Sequence, residues 1–296
     1  MFKTFRRSWE LTKISWDILQ KDKELLAFPL LSMIGVLVIS LVFALPLLGS
    51  GLLQAMTGEG DGNIFAYIVG IAVLFLYYFA ISIVVTYSNA ALTGAVFMRF
   101  DGKDPKVSDG FAIANNHLGA IVTFAALNAT VGVISALIRD AGRESKNIVV
   151  SILAGIAASL VEVAWAVVTF LTVPVMVREG KGAIEAVKRS GQLVRDTWGR
   201  QIVGSGGIGA VFMLVAALVL LIGLPIAALA ALSGSTFVLV ITVLAIVAIL
   251  AFIGLVAGAL GSIYRVALYH YAHDRKVEFF EEEVLRGAFV PSPSAS

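Results

Sequence analysis

Long apolar runs alternate with short polar stretches along this chain. A helix needs roughly 20 apolar residues to cross a ~30 Å hydrocarbon core. Six runs meet that length: residues 25–48, 64–87, 119–138, 148–177, 202–232 and 237–269. After the second run, helical character is expected to continue to Met98. Runs four to six exceed the minimum, so tilt, a kink or projection past the membrane is expected there. Pro29, Pro46, Pro174 and Pro225 lie near run ends, where a missing backbone donor is easiest to tolerate.

Three of the polar stretches carry a helical stripe. Apolar or small residues fall at Phe5, Trp9, Thr12 and Trp16, at Val107, Phe111, Ala114 and Leu118, and at Val187, Gly191, Val194 and Trp198. Steps of four, three and four mark one face of an α-helix. Polar residues occupy the other faces, among them Lys13, Asp109, Lys188, Gln192 and Arg195. Each stretch precedes an odd-numbered run, which predicts three interfacial amphipathic helices. Arg7, Ser8, Leu11 and Trp16 recur in the same spacing as Arg189, Ser190, Leu193 and Trp198. The even runs end alike, on a cation, an acid and then Lys103, Lys181 or Lys276. Val84-Val85-Thr86-Tyr87 resembles Val167-Val168-Thr169-Phe170. These matches predict a three-fold parallel internal repeat, over about 1–100, 101–180 and 181–280. One membrane domain over 1–289 and a disordered Pro/Ser tail over 290–296 are expected.

Composition agrees with a chain solvated by lipid. It is 59% hydrophobic and 14% charged, with mean hydropathy +0.93, where a soluble domain has about 25% charged residues. The fold class expected is all-α: a polytopic bundle of six transmembrane helices plus three interfacial helices. Charge then orients it. Of the 22 Lys and Arg, all but Arg139, Arg143 and Lys146 lie on the side shared by the two termini. The excess places both termini in the cytoplasm, for a multi-pass protein of the plasma or inner membrane. A net charge of +2 gives no field to recruit nucleic acid. The absence of cysteine removes disulfides and thiolate metal sites. His270 and His273 stand three apart without a third ligand, so no metal or cofactor is expected. The GxGxxG string at 204–209 lies inside an apolar run rather than between a strand and a helix, so it is not read as dinucleotide-binding. No catalytic constellation is found, and a non-enzymatic role follows as the expectation.

Several segments carry a resemblance: residues 7–19, 21–31, 89–95, 101–114, 116–132, 161–193, 197–204 and 264–272. Through them the chain resembles an uncharacterised family of prokaryotic six-span integral membrane proteins, a domain of unknown function. Residues 179–194 are loosely similar to the membrane part attached to some glycerophosphodiester phosphodiesterases, whose soluble catalytic barrel has no counterpart here. The resemblance implies architecture and supplies no activity or catalytic residues.

Two groups of candidate residues remain. Glu162 is the one carboxylate in the middle of an apolar run. A lone carboxylate at the bilayer centre costs at least ~2.5–3.5 kcal/mol. It is therefore expected to face the bundle interior with Trp165 and Thr169 on its face and Asn128 as partner. Such a group serves either as a proton- or cation-coupled site or as a structural hydrogen bond joining two helices. The second group, Asn89, Tyr264 and Arg265 with Trp16 and Trp198, is expected at the cytoplasmic interface against lipid headgroups. Membrane lipids are the expected partners. Gly-rich faces on runs five and six, including Gly254, Gly258 and Gly261, admit a homo-oligomer. The leading reading is a membrane protein engaging lipid or a membrane partner, and the alternative is a small-solute or ion transporter or channel centred on Glu162. Three two-span repeats also suggest the mitochondrial-carrier plan, but the P-x-[DE]-x-x-[KR] signature is missing.

Overall fold

Lipid offers no hydrogen bonds, so an apolar run must close its own backbone bonds, and helices do so within one segment. The computed structural model describes residues 15–16, 19–20, 22–49, 64–145, 147–198, 208–232 and 234–274. Among these the regular elements are all helical. A 3-10 turn, Lys23–Leu26, leads into α1 (Ala27–Gly49). There follow α2 (Ile64–Phe100), α3 (Val107–Asn115), α4 (Leu118–Glu144), α5 (Ile148–Val168) and α6 (Thr172–Glu179). The chain continues with α7 (Ala183–Trp198), α8 (Ile208–Leu232) and α9 (Thr236–Asp274). Six helical stretches are long and apolar enough to cross a membrane: Lys23–Ala44, Tyr67–Phe100, Leu118–Arg143, Ile148–Glu179, Val215–Leu232 and Thr236–His273. This is a multi-pass, all-α membrane protein.

The chain forms two compact units, Leu30–Val194 and the combination of Met1–Pro29 with Arg195–Ser296. In the first unit α2 is the axis. Its 37 residues rise about 55 Å at 1.5 Å per residue, well beyond the ~30 Å of hydrocarbon. Its first turns leave Ile64, Phe65, Ile68 and Leu76 exposed, while its last turns, from Ala90 to Phe97, are buried on every side. Helices α3, α4 and α6 pack around it. Ile113 of α3 sits over Gly94, 2.8 Å from where a Cβ would stand. Tyr87 stacks on Phe111 at 5.7 Å and donates a 2.8 Å hydrogen bond to Asn115. Helix α1 reaches α2 through Phe43 and Tyr77, edge to face at 5.5 Å, and through Ser40 and Tyr77 at 3.3 Å.

Two boundaries and one proline position differ from the sequence reading. The third run does not stop at Ile138, because no proline lies between Arg139 and Glu144, and α4 continues through Gly142 to Glu144. Arg139 and Arg143 thus lie on a helix rather than in a loop. The fourth run is not one helix: α5 ends at Val168 and α6 starts at Thr172. Pro174 lacks an N–H, and its ring crowds the carbonyl four residues back, at Phe170. Placed in the first turn of α6, it is tolerated only because the helix restarts there. Pro225, by contrast, lies inside α8 rather than near an end.

Two of the three stretches expected to be interfacial form α3 and α7. Helix α3 buries Gly110 and Ala114, with Val107 and Phe111 half-buried, while Leu118 is exposed. Helix α7 buries Ala183, Ala186, Ser190, Leu193 and Val194, and leaves Val187 and Gly191 half-buried. The buried seam is displaced by about one residue from the expected one, because Ser190 is turned inward to make a hydrogen bond described below. The first interfacial stretch lies outside the described residues apart from Ser15, Trp16, Leu19 and Gln20.

In the second unit α8 packs on α9, and the 3-10 turn packs on α9 as well. Gly223 lets Ile246 approach to 3.1 Å of its Cβ position. Pro29 lies 3.7 Å from the Cβ position of Gly258. Helix α9 repeats the behaviour of α2, with Phe237, Leu244 and Phe252 exposed and Val266, Ala267, Leu268 and Tyr269 all buried.

Candidate functional site

Helix α4 of the unit Leu30–Val194 carries two polar groups, around Asn128 and around Arg139. Asn128, near its middle, donates from Nδ2 to Ser82 Oγ of α2 at 3.1 Å and accepts at Oδ1 from Trp165 Nε1 of α5 at 2.7 Å. One amide therefore joins three helices. The Trp165 ring also stacks on Phe124 of α4, with centroids 6.4 Å apart. Thr169 turns its hydroxyl back to the Trp165 carbonyl oxygen at 2.7 Å, a bond within its own helix that caps nothing beyond it. Asn128 thus meets Trp165, and the Thr169 hydroxyl meets Trp165 alone among the described residues.

Glu162 is not part of that group. Its Oε2 accepts from Arg139 Nη2 at 2.7 Å, and the two side chains keep 45% and 40% of their surface exposed. Asn128 is not its partner, and the carboxylate does not face a closed interior. The physical reason is the extra length of α4. Helices α4 and α5 run antiparallel, with Gly142 packed closely against Ala154. From that contact Arg139 lies three residues back along α4 and Glu162 eight residues on along α5, a gap the two long side chains span, and a cation outcompetes an amide for a carboxylate. Sequence reasoning missed Arg139. The signal available was the absence of proline before Ser145.

Beside this ion pair lies a groove of ≈ 320 Å³ between α2 and α4, lined by Tyr67, Ile71 and Tyr78 on one side and by Arg139, Asp140 and Arg143 on the other.

At the opposite end of the same unit, α2 and α6 stop in the same way. Gly102 has φ 76° and Gly180 has φ 65°, left-handed conformations that suit glycine. Asp101 accepts two bonds from Arg178, at 2.8 and 3.1 Å, tying the two exits together. The Arg178 guanidinium lies 5.2 Å over the Phe97 ring. Glu179 pairs with Lys181 and, at 3.5 Å, with Arg189. Ser190 Oγ of α7 accepts from Leu171 N–H at 2.9 Å, in the break between α5 and α6. Leu171 is the residue before α6, so a side chain from a following helix supplies the acceptor that the broken ladder lacks.

The remaining candidates are dispersed. Asn89 is half-buried on α2. On α9, Tyr264 is 5% exposed, its hydroxyl has no partner among the described residues, and Arg265 is half-buried. Trp16 is 39% exposed, and the Trp198 side chain lies outside the described part. His117, by contrast with a metal ligand, is bound through Nδ1 to the Ile113 carbonyl at 2.8 Å. Among the described residues no group of three His, Asp or Glu side chains is placed to hold a metal ion. Gly254 and Gly261 have open space where a Cβ would stand.

Compared with known families, residues 68–279 match one described as a family of unknown function, DUF6159. No curated protein matches the chain.

Proposed function

The chain belongs to DUF6159, a family of unknown function, and from that premise we propose that it is a non-enzymatic membrane protein that engages membrane lipid through its interfacial helices. The observation that carries this reading is the two-sidedness of α7. One side is buried through Ala183, Ala186, Ser190 and Leu193, and the other exposes Ile184, Lys188, Gln192 and Arg195. A helix so fixed presents cations and an apolar side chain together, as a surface for anionic headgroups. In this reading both termini are cytoplasmic, α7 lies at the cytoplasmic leaflet of the plasma or inner membrane, and Trp16 and Trp198 sit at headgroup depth. The three-fold repeat belongs to the same reading, supported by the common glycine endings of α2 and α6. So does a homo-oligomer, for which the open surface at Gly254 and Gly261 leaves room. The likeness of residues 179–194 to the membrane part of some glycerophosphodiester phosphodiesterases enters only as architecture.

An unbiased lipid and metabolite analysis of the purified protein tests the proposal. Anionic lipids enriched over the bulk membrane, and less enriched after Lys188→Gln with Arg195→Gln, are the expected result. The broken fourth span, with its ion pair at Glu162, favours a second reading, a small-solute or ion transporter. A small solute that co-purifies in place of enriched lipid would support it and overturn the first.

A further inference from the structure

We propose that the groove between α2 and α4 is a binding site for the phosphodiester of a membrane lipid, held by Arg143 and Arg139. It lies at the end of the unit away from α7 and does not depend on the reading of α7 given above.

The groove's volume of ≈ 320 Å³ falls at the lower end of the roughly 300–1,000 Å³ of ligand sites, enough for a headgroup and the start of its chains. Its lining is amphiphilic. Arg143 and Asp140 lie at the outer turns of α4, and Ile71, Leu74 and Leu137 line the deeper part. From Tyr67 to Tyr78, α2 travels about 16 Å at 1.5 Å per residue. The groove thus runs from the helix ends into the apolar layer, the same path a lipid takes from headgroup to chain. Free inorganic phosphate and soluble phosphate esters share the headgroup's chemistry but would leave the apolar part unfilled.

The lining carries two cations, Arg139 and Arg143, against one carboxylate, Asp140. Arg143 is exposed, and neither it nor Asp140 makes an ion pair among the described residues. Arg139 spends one N–H on Glu162, whereas a guanidinium has five donors in a planar fork. The others remain for a ligand in the groove that Arg139 also lines. A phosphodiester accepts such forks bidentately. Glu162 is then the internal counter-ion: it keeps Arg139 neutralised when the groove is empty and competes with the phosphate when it is filled.

The competition gives opposite signs for two substitutions. Full-length protein in a phosphate-free detergent is titrated with short-chain phosphatidylglycerol and read by native mass spectrometry. Diacylglycerol of the same chain length, glycerol phosphate and inorganic phosphate form the other arms. Saturable binding of phosphatidylglycerol alone is expected. Arg143→Gln is expected to weaken it about tenfold, the loss of one charge-assisted contact. Glu162→Gln is expected to strengthen it, because Arg139 loses its competitor. Equal binding of diacylglycerol would overturn the phosphate assignment. Equal binding of inorganic phosphate or glycerol phosphate would overturn the lipid assignment. Unchanged affinity in Arg143→Gln would overturn the site itself. That variant sits at the exposed rim and leaves the α4–α5 pair intact, so it decides the matter even if Glu162→Gln does not fold.

Discussion

Spans two and four flank the same helix, α4, and are fastened to it by different means. Span two is one uninterrupted helix, α2, held through neutral contacts: Asn128 to Ser82 at 3.1 Å, and the Tyr78 ring 3.4 Å from the Gly132 Cβ position. Span four is divided into α5 and α6 and is held by an ion pair, an indole hydrogen bond and a glycine that lets the helices close in. Both spans nonetheless stop on the same signal, an acid followed by a left-handed glycine and a lysine. A helix ending is decided within a few residues, so like sequences end alike. How a span is held depends on what faces it across the bundle, so like sequences can be fastened differently. Val84-Val85-Thr86-Tyr87 runs through the interior of α2, whereas Val167-Val168-Thr169-Phe170 runs into the break. Pro174 and the Ser190 hydroxyl account for that difference.

The largest test of this contrast is the charge. Glu162→Leu or Arg139→Leu alone leaves an uncompensated ion on the membrane-crossing part of the bundle. Each is expected to lower the melting temperature in detergent more than any neutral substitution at the α2–α4 contact. Replacing both with leucine is expected to recover most of the loss, since a removed pair costs far less than a broken one. Single variants that melt like the unsubstituted protein would show that the pair does not fasten span four.

Asn128→Leu comes next. It strips one bond from each side of α4, to Ser82 and from Trp165. Interhelical hydrogen bonds in membranes are worth about 0.6 kcal/mol on average and at most about 1.7. The substitution is therefore expected to cost about 1–2 kcal/mol and to shift Trp165 fluorescence, because the indole N–H loses its acceptor. A cost confined to one contact would appear as loss of stability with no change in that emission.

Ser190→Ala is the smallest and the most local. It leaves the Leu171 N–H without an acceptor at the start of α6, a loss of about 1 kcal/mol on the scale of other helix caps. Faster amide exchange at Leu171, with the amides of α2 unaffected, is the expected signature. Exchange that rises equally in both spans would mean that α7 supports the whole unit and not the break alone.

The number of crossing helices and the all-α class were legible in the sequence, because run length against membrane thickness is a property of the chain alone. The continuation of α2 past Tyr87 could be read for the same reason: it depends on the run of residues along one helix. The partner of Glu162 could not. Asn128 and Arg139 stand on the same helix, and the choice between them depends on where α4 ends and on the register between α4 and α5, which the approach of Gly142 to Ala154 sets. The inward turn of Ser190, the joining of Asp101 to Arg178 and the groove beside Tyr78 likewise bring together residues far apart in the chain. Periodicity reports which face of a helix is apolar. Only packing determines which residue of another helix meets it, and that pairing assigns the charges of this protein their partners.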